Sequence, residues 1–280
     1  MRRVTTPRRG FTLAESLVGI VIAAIVSVIV ISLALRQGAA GAYTLLHAAS
    51  RAQLAHGRGA LAGDLATVSH GVARLITASD SLIEIDAQVG MSLSCSAALP
   101  LARTIVIAAA GQSGRPPVDG WLRAMALGDS VAVFDPVAGV WDVTALSGWG
   151  TASCGSLPGS PPGRALHLGA PGLTRGLPAG TLVRVGRRVR WLTYLGSDGR
   201  WYLGARERTG GAWSIVQPTA GPLDQSRGRP RPFALFDAAG QPGSNALPAS
   251  AVSRVEVNLA LLGDAASDRI PLVAPVRRRP

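Results

Sequence analysis

Arg8-Arg9-Gly10-Phe11-Thr12-Leu13-Ala14-Glu15-Ser16 opens a run that stays apolar as far as Leu35 and closes on Arg36. Glu15 is the single charge in that run. At about 1.5 Å per residue, a helix over 11–35 reaches about 37 Å, enough to cross a hydrocarbon core of about 30 Å. An ordinary secretory signal has an apolar core of about 7–15 residues followed by small residues at its cleavage site. This run is longer, although Gly38-Ala39-Ala40 follows it. Residues 1–10 are short, basic and interrupted by Pro7, so no fold is expected of them. Arg2, Arg3, Arg8 and Arg9 precede the run, whereas only Arg36 and Arg51 follow it closely. That asymmetry predicts a cytoplasmic N-terminus and a chain that otherwise faces outward. A carboxylate near the end of a membrane helix costs up to a few kcal/mol and calls for a partner.

The segment Gly10-Phe11-Thr12-Leu13-Ala14-Glu15 resembles the class III signal of type IV pilins and pseudopilins. The resemblance implies cleavage between Gly10 and Phe11 by a prepilin peptidase/N-methyltransferase, and methylation of the new amine on Phe11. It also implies an assembly role for Glu15, whose carboxylate would pair with the N-terminal amine of a neighbouring subunit. The partners that follow are the processing enzyme, other pilins or pseudopilins, and the inner membrane. Ala14 and Ser16 depart from the bulkier aliphatic residues common around that Glu. The alternative is an uncleaved single-pass anchor in which Glu15 snorkels to the headgroups. Within the run, Ser27 and Ser32 can satisfy their hydroxyls on helix carbonyls, and Gly19 with Ala23-Ala24 offers a small-residue face for close helix approach.

Beyond Arg36 the helical pattern continues with a different surface, predicting an amphipathic helix over 36–78. Leu54, Leu61, Leu65, Val68, Val72 and Leu75 form one stripe, with Arg51, Arg58, Asp64, Ser69 and Arg74 mostly off it. Gly38, Gly41, Gly57 and Gly59 each weaken a helix by about 1 kcal/mol relative to alanine and mark bends or a stretch that melts. His47, His56 and His70 fall on this helix and His167 far from it, without the spacing of a metal site.

From 79 to 280 the pattern shifts to short β-like runs: 82–87, 104–109, 130–134, 140–145, 181–185, 189–195, 200–206, 212–216 and 252–259. Ser197-Asp198-Gly199 is a hairpin signal. The strands flanking it carry Trp191, Tyr194, Trp201 and Tyr202, expected to pack as cross-strand aromatic pairs rather than as an exposed glycan-binding ladder. Two stretches rich in Gly and Pro, 155–180 and 218–232, read as surface loops, the first of which could instead separate two β-subdomains. The fold class is therefore α+β. It is pilin-like, with a long N-terminal transmembrane and amphipathic helix packed on an antiparallel β-rich domain. In order and spacing the region from the 187–191 hairpin to the 252–259 strand is similar to PilW-type minor pilins and the minor pseudopilin J of type II secretion.

Cys95 and Cys154 both lie beyond the membrane run. In an oxidising periplasm they are a candidate disulfide, the alternative being two buried thiols. The formal charge of +12 includes the four leader arginines, so +8 remains without them. All 28 basic residues are arginine, which reads as coding bias. Such a balance favours loose contact with anionic polymers. Arg227, Arg229 and Arg231 make nucleic acid or another polyanion an alternative partner of a tip subunit. The C-terminal Val276-Arg277-Arg278-Arg279-Pro280 reads as a solvated basic end. No nucleophile elbow, phosphate loop, dinucleotide fingerprint or metal-ligand spacing is found, the densest acidic group being Asp80, Glu84 and Asp86. The expectation is a structural subunit with no cofactor, metal or catalytic residue, itself the substrate of an enzyme.

Overall fold

The structure is a computed structural model that describes residues 13–68, 75–108, 120–155, 160–225, 228–243, 247–260 and 269–275. It divides into two compact units, Met1–Ala52 and Gln53–Pro280. Helix α1, Leu13–Val68, begins in the first and ends in the second. It runs without a break through Gly38, Gly41, Gly57 and Gly59. From Leu13 to Leu46 every described side chain on it is exposed, including Ile20, Val28, Leu35 and Leu46. Ser27 and Ser32 donate to the carbonyls of Ala23 and Ile29, both at 2.8 Å.

The strands are β1 (Leu75–Ala78), β2 (Leu82–Leu93), β3 (Thr104–Ala108), β4 (Gly120–Trp121), β5 (Ser130–Asp135), β6 (Val140–Ser153) and β7 (Pro162–Leu168). They continue with β8 (Leu182–Leu195), β9 (Trp201–Thr209), β10 (Ala212–Trp213), β11 (Gln217–Leu223), β12 (Phe233–Phe236), β13 (Arg254–Asn258) and β14 (Arg269–Pro275). Every pairing is antiparallel. One sheet runs β1-β2-β8-β5-β6-β7-β3, with β4 on β2, β9 on β8, and β10 and β11 on β9. It curls until β3 returns to the end of β2, where Ser94 and Ile107 form a bridge. A second sheet runs β12-β13-β14. The architecture is α+β, as the hydrophobic pattern predicts.

Each part of the Gln53–Pro280 unit has its own core. Inside the curl, alternate residues of six strands meet: Val89, Ile105, Val131, Leu146, Leu166 and Val183 are all buried. The other core joins Leu54, Leu61 and Leu65 of α1 to Ile83, Ile85, Trp191 and Leu203 of the large sheet, and to Phe233, Leu235, Val255 and Val257 of the small one. Gly57 makes that docking close. A Cβ there would sit 3.0 Å from the Thr219 carbonyl oxygen and 3.3 Å from the Ala220 side chain, so the helix lies on β11 only where it lacks one.

Several expectations need correction. The helix of 36–78 stops at Val68 in the described chain, and Leu75–Ala78 is instead strand β1 on β2, where its β-branched Ile76 and Thr77 suit extended backbone. Val72, Ser69, Arg74 and His70 lie outside the described residues. Asp64, read as off the stripe, is buried. The stretch 155–180 is not wholly a loop and separates no subdomains, because Pro162–Leu168 is inserted between β6 and β3. Its proline takes the first position of the strand, where a missing N–H is tolerated. The stretch 218–232 likewise contributes most of β11, whose Pro218 and Pro222 sit on a strand that, among the described residues, pairs with β9 alone. Runs 181–185 and 189–195 are a single strand, β8.

The hairpin at 197–199 forms, with Gly199 at φ 72°. Asp198 accepts the Arg200 N–H and the Tyr202 hydroxyl, at 3.1 and 2.7 Å. Tyr194 and Tyr202 pair across it, their rings 5.9 Å apart. Trp191 and Trp201 do not pair with each other. Trp191 is buried opposite Ala205, and Trp201 stands opposite Leu195.

Cys95 and Cys154 are bonded, with Cα atoms 5.0 Å apart and a sequence separation of 59. They join the chain just past β2 to the end of β6. In the chain-entropy description, closing such a loop contributes about 4 kcal/mol. Cys95→Ser with Cys154→Ser should lower unfolding stability by roughly that amount, read from urea titration of oxidised and doubly substituted protein. Leu61→Ala, which empties a fully buried site on the docked face of α1, should cost about 2–5 kcal/mol, whereas Leu46→Ala should change unfolding by about 0.5 kcal/mol or less.

Candidate functional site: the N-terminal helix and its anchorage

Glu15 lies in the first described turn of α1 and is exposed. Gly10 and Phe11, the residues expected to carry cleavage and methylation, lie outside the described residues. The stretch that follows Glu15 is the one part of the described chain long and apolar enough to cross a membrane. A helix apolar on every side has no surface suited to water, so its stable settings are lipid or a bundle of similar helices. Thr44 extends the pattern of internal satisfaction, donating to the Gly41 carbonyl at 2.8 Å.

The other end of α1 is held by charge as well as by packing. Asp64 accepts the Trp191 indole N–H at 3.0 Å and an Arg123 N–H at 2.5 Å. Arg123 also reaches Glu207 at 3.4 Å. Glu207 accepts from Arg187 at 2.7 Å, and Arg187 donates to both oxygens of Asp129, at 2.8 and 3.0 Å, and to the Ala124 carbonyl at 2.7 Å. The chain of contacts therefore runs from α1 through the 120s loop to β9, β8 and the start of β5. At the helix end, Arg184 donates to the Thr67 carbonyl at 3.1 Å, satisfying one of the acceptors that a helix C-terminus leaves open. The Thr67 hydroxyl donates to the Asp64 carbonyl at 2.6 Å.

These surroundings shift the ionisation of the groups involved. Burial pushes the Asp64 carboxyl above the ordinary 3.8, opposed by the charge of Arg123 and the Trp191 N–H. Hydrogen bonds that Arg187 donates to Asp129 hold its proton more tightly than usual. Burial lowers Arg184, against the pull of Asp86.

The other residues singled out from sequence have ordinary roles. His56 is exposed, and His167 is exposed with Nδ1 3.3 Å from the Thr104 hydroxyl. The His47 side chain lies outside the described residues. Among the described residues no three His, Cys, Asp or Glu side chains converge as metal ligands. Asp80 faces Arg231 at 3.3 Å and Glu84 accepts from Arg190 at 2.9 and 2.5 Å. Of the alternating arginines, Arg229 lies over the Trp201 ring, 5.4 Å from its centre, while Arg227 and the C-terminal 276–280 lie outside the described residues. The Asp64–Trp191–Arg123 contact was missed from sequence, and an acidic residue recurring near the stripe four residues before Val68 was its only trace.

Residues 6–31 match the family model described as the prokaryotic N-terminal methylation motif, a span that takes in Gly10, Phe11 and Glu15. No curated protein and no solved structure matches the chain. The motif and the apolar first helix that follows it support a type IV pilin-like chain of prepilin type.

A raised carboxyl pKa in the folded state means that the folded chain binds that proton more tightly than the unfolded chain. The stability it contributes is complete below about pH 3.8 and is lost as pH rises through the raised value. Asp64→Asn removes that titration while keeping an acceptor for Trp191. The stability of wild type minus that of Asp64→Asn should therefore fall as pH rises above 3.8 and then level off, measured by urea unfolding between acid and neutral pH.

Proposed function

We propose that the chain is a minor pilin or minor pseudopilin, an assembled structural or priming subunit of a type IV pilus or type II secretion pseudopilus, not an enzyme. The observation that carries this reading is the methylation-motif match at 6–31, continuous with a helix whose apolar residues stay exposed as far as Leu46. In this reading the N-terminus starts in the cytoplasm, the apolar run crosses the inner membrane, and the β-rich unit lies outside. Hydrolysis of the Gly10–Phe11 bond releases the leader and bares an ammonium one helical turn from Glu15. Methylation of Phe11 leaves that nitrogen cationic.

A buried carboxylate and a buried ammonium each cost several kcal/mol in an apolar medium, and pairing offsets much of both. Glu15 can therefore select the axial position at which a neighbour's amine comes alongside. The helix meanwhile exchanges lipid contacts for helix contacts. Sixteen acidic residues against 28 basic ones, with no convergent ligand set among the described residues, suit a subunit better than a catalyst. The large β-rich unit favours a minor or priming place over a repeating shaft subunit, by analogy with smaller pilins.

N-terminal sequencing and mass spectrometry of the cellular protein test the reading. The expected mature chain begins at methylated Phe11. Glu15→Ala should still be cleaved but drop out of sheared filaments or the assembled complex, and substitution of Gly10 should block cleavage. Intact residues 1–10 in cells with an active prepilin peptidase would overturn it.

A further inference from the structure

Between β1, β2, β8 and the β9–β10 turn lies a cleft of about 590 Å³, lined by the apolar Leu75 and Val143 and by the polar Asp86, Ser130, Arg188 and Arg208. Its charge comes from strand register. Glu84, Arg190 and Arg206 are direct neighbours across β2, β8 and β9, and Asp86 faces Arg188 one step along the same side. Two arginines directly opposite each other repel, which ordinarily disfavours such a pair. Here Trp213 takes up both, its ring centre 4.3 Å from the Arg190 guanidinium and 5.1 Å from that of Arg206. Glu84 is committed to Arg190 by two short bonds. In that row the carboxylate is bonded directly to one arginine and the tryptophan ring covers both.

In the cleft row the arginines make no such short carboxylate bond among the described residues. Arg188 reaches carboxylate oxygens only at 3.6 Å on Glu84 and 3.9 Å on Asp86, beyond direct hydrogen-bond range. Arg208 spends its Nε on the Gly211 carbonyl at 3.2 Å, and no carboxylate pairs with it among the described residues. Two guanidiniums thus border one cleft with donors to spare, and a planar guanidinium matches a carboxylate through two parallel N–H bonds.

We propose that this cleft receives the carboxylate side chains of an acidic segment on a protein partner. The apolar lining residues suit the methylene stem of such a side chain, and the guanidiniums suit its head. A nucleic acid strand requires a continuous track of cations along its phosphates, whereas Glu84 and Asp86 interrupt this face with negative charge. The inference rests on the cleft alone and does not depend on whether the N-terminus is processed.

Hexaglutamate, titrated into the full-length chain in neutral detergent at about 0.15 M salt, is the probe, since long-range attraction to a basic protein is largely screened there. Binding should be detected by calorimetry. Arg208→Gln should weaken it about tenfold, the loss of one charge-assisted contact. Asp86→Asn should strengthen it. Arg103→Gln, equal in charge change but away from the cleft, should leave it unaltered. Val143→Trp, which fills the cleft from a half-exposed position without touching charge, should weaken binding while thermal unfolding stays near wild type. Equal loss with Arg103→Gln and Arg208→Gln, or no binding at all, overturns the proposal. Tighter binding of hexathymidylate, lost in the same variants, overturns it in favour of nucleic acid, and displacement by millimolar inorganic phosphate reduces the cleft to a general oxyanion site and overturns the acidic-segment assignment.

Discussion

Arg187 stands where β8 changes neighbours. Residues 183–186 of β8 pair with β5, and residues from Val189 onward pair with β9 along the same edge. A strand flanked in turn by two others leaves a gap in the ladder at the changeover, and that gap must be filled by groups able to hydrogen-bond in several directions. The Arg187 guanidinium does this, binding Asp129 just before β5, Glu207 on β9 and the Ala124 carbonyl between them. The Asp129 side chain is fully hidden from solvent, so neither member of that pair is replaceable alone without leaving a buried charge. Through Glu207 the same cluster continues to Arg123 and Asp64, and thus to α1. The geometry of the helix contact and the forking of the sheet share one set of charges.

The two halves of α1 answer to different solvents. One is apolar all round and exposed, the other apolar on a single stripe that the β-rich unit covers. A membrane or bundle rewards the first composition and penalises charge within it, which is why Glu15 at its edge draws a functional reading. The second half can carry Arg51, Arg58 and His56 on its outer side because only Leu54, Leu61 and Leu65 need burial.

What could be read without coordinates was whatever had a short period. The apolar run, the Leu54–Leu61–Leu65 stripe, the Ser197–Gly199 turn and the Val255–Val257 alternation all declare themselves within a few residues. Asp64 did not, because its partners lie 59 and 127 residues away and a lone acid near a stripe usually points to water. β7 and β11 were hidden by proline, which argues against a strand unless it is known to begin there or to lie at an edge. The end of α1 near Val68 was obscured because Leu75 continues the helical spacing by coincidence while pairing with Ile85 in a sheet. For the functional segment the position was reversed. Gly10, Phe11 and Glu15 were legible as a motif, and neither Gly10 nor Phe11 belongs to the described fold.

The Cys95–Cys154 link has a mechanical meaning for a chain pulled from its two ends. Covalently, β3, β4, β5 and all of β6 sit on a side loop, outside the shortest bonded path from one terminus to the other. At roughly 3.4 Å per extended residue, about 200 Å of polypeptide is withheld from extension. Tension would pass from residue 95 directly to residue 154, leaving the strands between them unloaded however far the rest were drawn out.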